Sequence, residues 1–178
     1  PYLLALATTV ISYNVVINCT DVLWKKQLQS FFVTPSKIFA HTSQISMWTG
    51  VIATIGSLLF SCTLQRLGWT GMALCTPLLM LLLVVPFFTL YLGASSLAPL
   101  TRAALGTTPL ALTVYLGGLQ NCLGKAAKYS IFDVCKELAF VSLPAATRKQ
   151  GKAAVDGLGT EIGKSTAALL CQGALLFF

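Results

Sequence analysis

The chain has 178 residues, of which 56% are hydrophobic and 10% are charged, and its formal net charge is +7. Soluble domains are about 45–50% apolar and about 25% charged, so a soluble core does not account for this composition. The sequence also has no aromatic-basic surface module of the kind that RNA-binding proteins use, which argues against nucleic acid as a partner. The composition therefore predicts an all-α, polytopic membrane protein whose positive charge lies in cytoplasmic loops or in a cavity that attracts anions.

Long uncharged stretches divide the chain, and about 20 apolar residues are enough to cross a bilayer as a helix. We predict a single transmembrane domain over residues 1–178 with about five helices, at 2–18, 45–64, 72–92, 110–138 and from Gly151 onward. The connections between them are predicted at 21–36, 65–71, 93–109 and 142–150. The fourth helix is longer than one bilayer thickness, so it tilts, projects into water or breaks near Gly124.

Polar residues follow the first span directly. Asp21 is predicted to pair with a lysine or to bind a cation, and Trp24 beside Lys25 and Lys26 is typical of an anchor at the membrane interface. The six cysteines are scattered, without a C-x-x-C pair, so we interpret them as small buried hydrophobic residues. No metal site and no cofactor are predicted.

Charge is concentrated between residues 125 and 137, directly after the uncharged part of the fourth helix. At 100° per residue, one arc of about 100° holds Lys125, Lys128, Tyr129, Phe132 and Lys136, and the acids Asp133 and Glu137 flank it. A polyanion with an aromatic base fits this face, because lysines bind phosphates and a ring of Tyr129 or Phe132 stacks on a base. An amphipathic extension whose lysines contact lipid headgroups, with Lys136 paired to Asp133, explains the pattern equally well.

Two amides precede this cluster by one helical turn. Gln120 and Asn121 are predicted to line the same cavity as Lys125 or to form hydrogen bonds between helices.

The segment 157–166 contains glycines around a lysine and invites comparison with a phosphate-binding P-loop. That motif needs four residues between its first glycine and Gly-Lys, whereas Gly159 leaves three and Gly157 leaves five, so a P-loop enzyme is disfavoured. Gly159, Gly163 and Ala167 are instead four residues apart, which predicts close packing of two helices. Lys164 then lies deep in the last span, where a lysine is costly and marks function unless it extends to the interface.

Taken together, these residues resemble the nucleotide (ATP/ADP) transporters of plastids and of obligate intracellular bacteria such as chlamydiae and rickettsiae. The resemblance extends along essentially the whole chain. The segments that carry it are 24–25, 105–110, 119–121, 125–133, 136–137, 151–156 and 163–165.

The resemblance implies a major-facilitator-like fold and the C-terminal half of a twelve-helix transporter, without the final helix or the N-terminal half. It implies alternating-access transport of ATP, ADP and other nucleotides rather than catalysis, with Asp21 and Lys164 among the residues that matter. Relatives either exchange ATP for ADP and phosphate or import a wider nucleotide set, including with protons. The expected location is the inner membrane of an intracellular bacterium or the plastid inner envelope, in contact with lipid.

Overall fold

The computed structural model describes residues 2–177, and within that range it contains helices and no strand. The helices are α1 (Tyr2–Phe31), α2 (Pro35–Leu92), α3 (Ala94–Leu105), α4 (Pro109–Ala127), α5 (Asp133–Val141), α6 (Ala145–Ala153) and α7 (Thr160–Phe177). Two π-helical segments, π1 (Lys128–Phe132) and π2 (Ala154–Gly159), join α4 to α5 and α6 to α7. The prediction of an all-α protein is confirmed.

The long helix α2 reverses direction at Gly68, which has φ 69° and ψ 174°. This combination of a positive φ with an extended ψ is inexpensive for glycine because glycine has no Cβ. The two arms of α2, residues 35–67 and 69–92, pack on the same α4–α5 path in opposite order. The neighbouring pairs are Ile45 with Gly118, Gly56 with Ser130, Met80 with Gly124 and Phe87 with Gly117. The arms therefore run antiparallel, and they correspond to the second and third predicted spans.

Much of the outer surface is apolar. Leu58, Leu82 and Leu169 are 76%, 71% and 69% exposed, and soluble proteins rarely expose large apolar areas. Among the residues that the structure describes, two helices, Tyr2–Phe31 and Pro35–Leu92, are long and apolar enough to cross a membrane. The exposed leucines fit contact with lipid.

All three long polar connections prove shorter than predicted. Helix α1 continues through Asp21 to Phe31, because Leu23, Trp24 and Leu28 keep one buried face while polar residues occupy the other. Residues 94–105 form α3, whose alanines and leucines favour helix despite the internal Pro99. The last helical path begins at Ala145, directly after Pro144, and not near Gly151.

The fourth helix shows no break at Gly124. It continues from Pro109 to Val141, and its irregularity is π1, which begins four residues later. A π segment closes i→i+5 hydrogen bonds, so it adds a residue to the turn without ending the helix.

Two aromatic anchors fix α1 against α4. The Tyr13 hydroxyl donates to the Gly124 carbonyl at 2.8 Å, and its ring stacks on Phe132 with centroids 4.5 Å apart. The Trp24 indole N–H donates to the Val114 carbonyl at 2.9 Å. Both anchors are buried, so the stretch of α1 between them is held in one register along α4.

Candidate functional site

A cavity of about 350 Å³ opens between α1, the 35–67 arm of α2 and the α4–π1 path. Such a volume is at the lower end of the range found for small-molecule sites. Its wall includes Asp21, Trp24, Lys25, Thr42, Ile45, Ser46, Thr49, Gly50, Asn121, Lys125 and Tyr129. The structure thus brings together four of the predicted site residues, namely Asp21, Asn121, Lys125 and Tyr129.

Asp21 is the centre of charge in this cavity. Its Oδ2 lies 2.6 Å from Lys25 Nζ and its Oδ1 lies 3.0 Å from Lys125 Nζ, so each carboxylate oxygen holds one ammonium group. The Asp21 side chain is 16% exposed, whereas those of Lys25 and Lys125 are 55% and 39% exposed. The trio keeps one net positive charge and presents two donors to the cavity, which suits an anion that takes the place of the carboxylate.

Sequence reasoning placed Lys25 at the membrane interface and did not include it in the site. The spacing of Asp21 and Lys25 indicated the pair, because an acid and a lysine four residues apart lie next to each other on a helix surface. It was overlooked because residues 21–36 were assigned to a connection.

Of the two aromatic candidates for base stacking, the structure favours Tyr129. The Tyr129 ring is 56% exposed and lines the cavity, whereas Phe132 is buried against Tyr13. Lys128 Nζ lies 5.9 Å from the centroid of the Tyr129 ring, a distance that permits a cation–π interaction.

Gln120 and Asn121 are almost completely buried, at 0% and 1% exposed. Neither side-chain amide has a hydrogen-bond partner among the residues the structure describes. Buried amides are normally paired, and an unpaired one costs about 1–3 kcal/mol. Asn121 lines the cavity and is therefore placed to contact whatever enters it, whereas Gln120 lies close to Gly124.

The single cationic face projected for residues 125–136 is wrong, because π1 changes the angular register after Lys128. Lys136 does not line the cavity and instead pairs with Asp156 at 2.8 Å and with Asp133 at 3.5 Å. Glu137 pairs with Lys152 at 2.6 Å. These three predicted site residues, Asp133, Lys136 and Glu137, thus form an ionic clamp between the α4–α5 path and the α6–π2 path.

Lys164 lies outside the cavity. It is 51% exposed and pairs with Glu161 at 2.8 Å on the outer side of α7. The predicted small-residue seam packs on α1: Gly163 faces Asn14 and Ile11, and Ala167 is 1% exposed. The segment 157–166 is helical throughout, so its backbone N–H groups bond within the helix and do not form a phosphate loop.

Comparison with known proteins identifies the family. The family model of the TLC ATP/ADP transporter matches residues 1–178. The chain is 42% identical over 178 residues to the chloroplastic ADP,ATP carrier protein 2 of Arabidopsis thaliana, covering all of this chain and 29% of that protein. It is 40% identical to ADP,ATP carrier protein 1 of Chlamydia trachomatis and to the plastidic ATP/ADP-transporter of Solanum tuberosum, covering 99% of this chain and 33% and 28% of those proteins.

No solved structure matches this chain significantly. The chain spans about a third of the length of the curated relatives that it matches. Because the family match extends over every residue of the sequence, the chain belongs to the TLC ATP/ADP transporter family.

Proposed function

We propose that this chain is part of a membrane transporter that exchanges ATP for ADP by alternating access. The observation that carries the proposal is the Asp21 carboxylate held between Lys25 and Lys125 in the wall of a cavity. Relatives named as ADP,ATP carriers and ATP/ADP transporters support the choice of nucleotide.

In this proposal the ion pairs are the switch. Without substrate, Asp21 holds the ammonium groups of Lys25 and Lys125 together. Phosphate oxygens compete for the same ammonium groups, and binding therefore releases the carboxylate. A substrate shifts a conformational equilibrium only by its difference in affinity for the two states, and exchange of these ion pairs supplies such a difference. Tyr129 would stack on the base at the same time.

Lys164 would be a second phosphate contact. It lies near the middle of the helical path 145–177, half exposed, with Glu161 as its partner. A lysine within a membrane span is costly unless it faces protein or a water-filled cavity. We place it on the side that faces the remainder of a longer polypeptide, of which this chain would be the C-terminal half without its final helix. The membrane would be the inner membrane of an intracellular bacterium or the plastid inner envelope.

The test is uptake of radiolabelled ATP by cells that express the complete polypeptide containing this chain. Lys125→Gln removes a partly exposed charge contact with phosphate, so we expect the half-saturating ATP concentration to rise about tenfold. Lys164→Ala is expected to abolish uptake without affecting membrane insertion. Lys26→Gln is the matched control, because Lys26 is exposed on the same helix as Lys25 and does not line the cavity. Unchanged uptake in the Lys125 and Lys164 variants would refute the proposed phosphate site.

Preloading the cells with nucleotide distinguishes exchange from the second transport mode that the family resemblance implies, which is proton-coupled import of a broader set of ribonucleotides. An exchanger needs ADP, or ADP with phosphate, on the opposite side of the membrane, whereas a proton-coupled importer works without preloading and stops when an uncoupler is added. Wild-type uptake that is indifferent to preloading and abolished by an uncoupler would replace exchange by proton-coupled import.

A further inference from the structure

A row of hydroxyl groups lines one wall of the cavity. Thr42, Ser46 and Thr49 are spaced i, i+4 and i+7 along the 35–67 arm of α2, so they lie on one helix face. None of the three was singled out by the sequence, since Ser and Thr are common in apolar spans. Gly50 follows Thr49, and a Cβ at Gly50 would meet open space, so a ligand can approach the backbone there.

Each of these hydroxyls already donates its proton to a backbone carbonyl of its own helix. Thr42 Oγ1 donates to the Ile38 carbonyl at 2.9 Å, Ser46 Oγ to the Thr42 carbonyl at 3.0 Å, and Thr49 Oγ1 to the Ile45 carbonyl at 2.8 Å. A hydroxyl has one proton and two lone pairs, so each group has only lone pairs left to offer. Toward the cavity, this wall is therefore an acceptor.

The two lysines on the walls formed by α1 and α4 have the opposite character. Lys25 and Lys125 are ammonium groups, which donate hydrogen bonds and cannot accept them. A nucleotide has matching ends, because its phosphate oxygens only accept while its ribose hydroxyls and the exocyclic amine of adenine donate. The two kinds of wall thus define one orientation of the ligand, with phosphates toward the lysines and nucleoside donors toward α2.

We propose that Thr49, flanked by Thr42 and Ser46, accepts a hydrogen bond from an O–H or N–H donor of the nucleoside and so sets the specificity of the cavity. This inference rests on the proposed function. Thr49 is the most enclosed of the three, at 8% exposed, and the unpaired amide of Asn121 lines the same cavity. A nucleotide that lacks the donor leaves an enclosed acceptor unmatched, which is how a polar site rejects a near-isostere.

The donor is a ribose hydroxyl or the 6-amino group, and competition against radiolabelled ATP uptake distinguishes them. The competitors are ATP, 2′-deoxy-ATP, 3′-deoxy-ATP and inosine triphosphate, which carries an oxygen in place of the amine. Wild-type transporter is expected to discriminate about tenfold against the one analogue whose missing donor faces Thr49.

Thr49→Val preserves the shape of the side chain and removes its lone pairs. In this variant we expect ATP to bind about tenfold more weakly and the disfavoured analogue to bind as before, so that discrimination disappears. Thr54→Val is the matched control, because Thr54 is on the same arm and makes the same kind of bond, to the Gly50 carbonyl at 2.9 Å, but is exposed outside the cavity. That variant should discriminate as the wild type does.

Equal competition by all four nucleotides in the wild type, or unchanged discrimination in Thr49→Val, would overturn the inference. If Thr49→Val transports too slowly to measure, Thr49→Ser should keep the discrimination and Thr49→Ala should lose it, and equal behaviour of those two would overturn it as well. Failure of the wild-type protein to take up ATP is a different result, since it removes the proposed function itself.

Discussion

Replacing Gly163 by alanine should weaken the contact between α7 and α1. A Cβ at this position would lie 2.7 Å from Asn14 Cβ and 3.1 Å from the Ile11 carbonyl oxygen. Favourable contacts between carbon atoms occur at about 3.5–4.0 Å, so the two helices must separate by roughly 1 Å. The Ile11 oxygen is backbone, and it cannot move aside as the end of a flexible side chain can.

The cost follows from this separation. Extra atoms in a well-packed contact typically cost about 1–3 kcal/mol, while alanine gains up to about 1 kcal/mol over glycine inside a helix. Comparison with a second glycine-to-alanine variant, Gly157→Ala, cancels the gain in helix propensity. Gly157 precedes Gly163 on the same helical path, and a Cβ there would meet nothing within 4 Å. The difference in unfolding free energy between Gly163→Ala and Gly157→Ala is therefore expected to be about 1–3 kcal/mol.

The assay is the midpoint of thermal unfolding of the complete polypeptide in detergent, with both variants measured side by side. We expect Gly163→Ala to unfold a few degrees below Gly157→Ala, and Gly163→Leu to unfold lower still. Equal midpoints for the two alanine variants would show that the α1–α7 contact is looser than its geometry indicates, and would refute the reasoning.

Two further contacts are open to measurement. Cys19 Sγ and Cys171 Sγ lie 3.3 Å apart, so copper phenanthroline should oxidise them to a disulfide in the native protein, and mass spectrometry should detect the two joined peptides. A sample in which the exposed Cys62 has reacted but Cys19 and Cys171 are not joined would contradict the contact. Lys136→Met and Asp156→Asn should show a coupling free energy of about 1 kcal/mol in a double-mutant cycle on unfolding, because the pair is only partly exposed; strictly additive effects would show that the clamp does not stabilise the fold.

The fold class was predictable because a bilayer leaves few choices. Apolar stretches without charge must be helical in order to satisfy their own backbone hydrogen bonds, and Gly68 marked the turn between two of them. The connections were less predictable. Residues 21–31, 94–105 and 145–153 are polar or contain proline, yet each one is helical. Polarity identifies an exposed face and does not show where a helix ends.

Part of the candidate site was predictable, and the reasons for the failures are local. Asp21, Asn121 and Lys125 meet in one cavity because both helices are regular up to residue 127, and Tyr129 joins them because it lies only two residues farther along. Lys136 was assigned to the same face because a projection at 100° per residue assumes an unbroken α-helix. Nothing in the sequence of residues 128–132 indicates that their hydrogen bonds close around a wider turn. The proximity of Cys19 to Cys171 was equally invisible, since it depends on how α7 packs on α1.

The wide turn π1 has a consequence for how this sequence tolerates insertion and deletion. A π segment amounts to an α-helix that has absorbed one additional residue. Deleting one residue from 128–132 should therefore close a regular α-helix and leave the residues after it where they are, because the wider turn already accommodates the additional residue. Lys125 would remain paired with Asp21, and Lys136 with Asp156. Single-residue gaps between related sequences are thus expected inside 128–132 or 154–159, because the chain length can change there by one residue without rotating one end of the helix relative to the other.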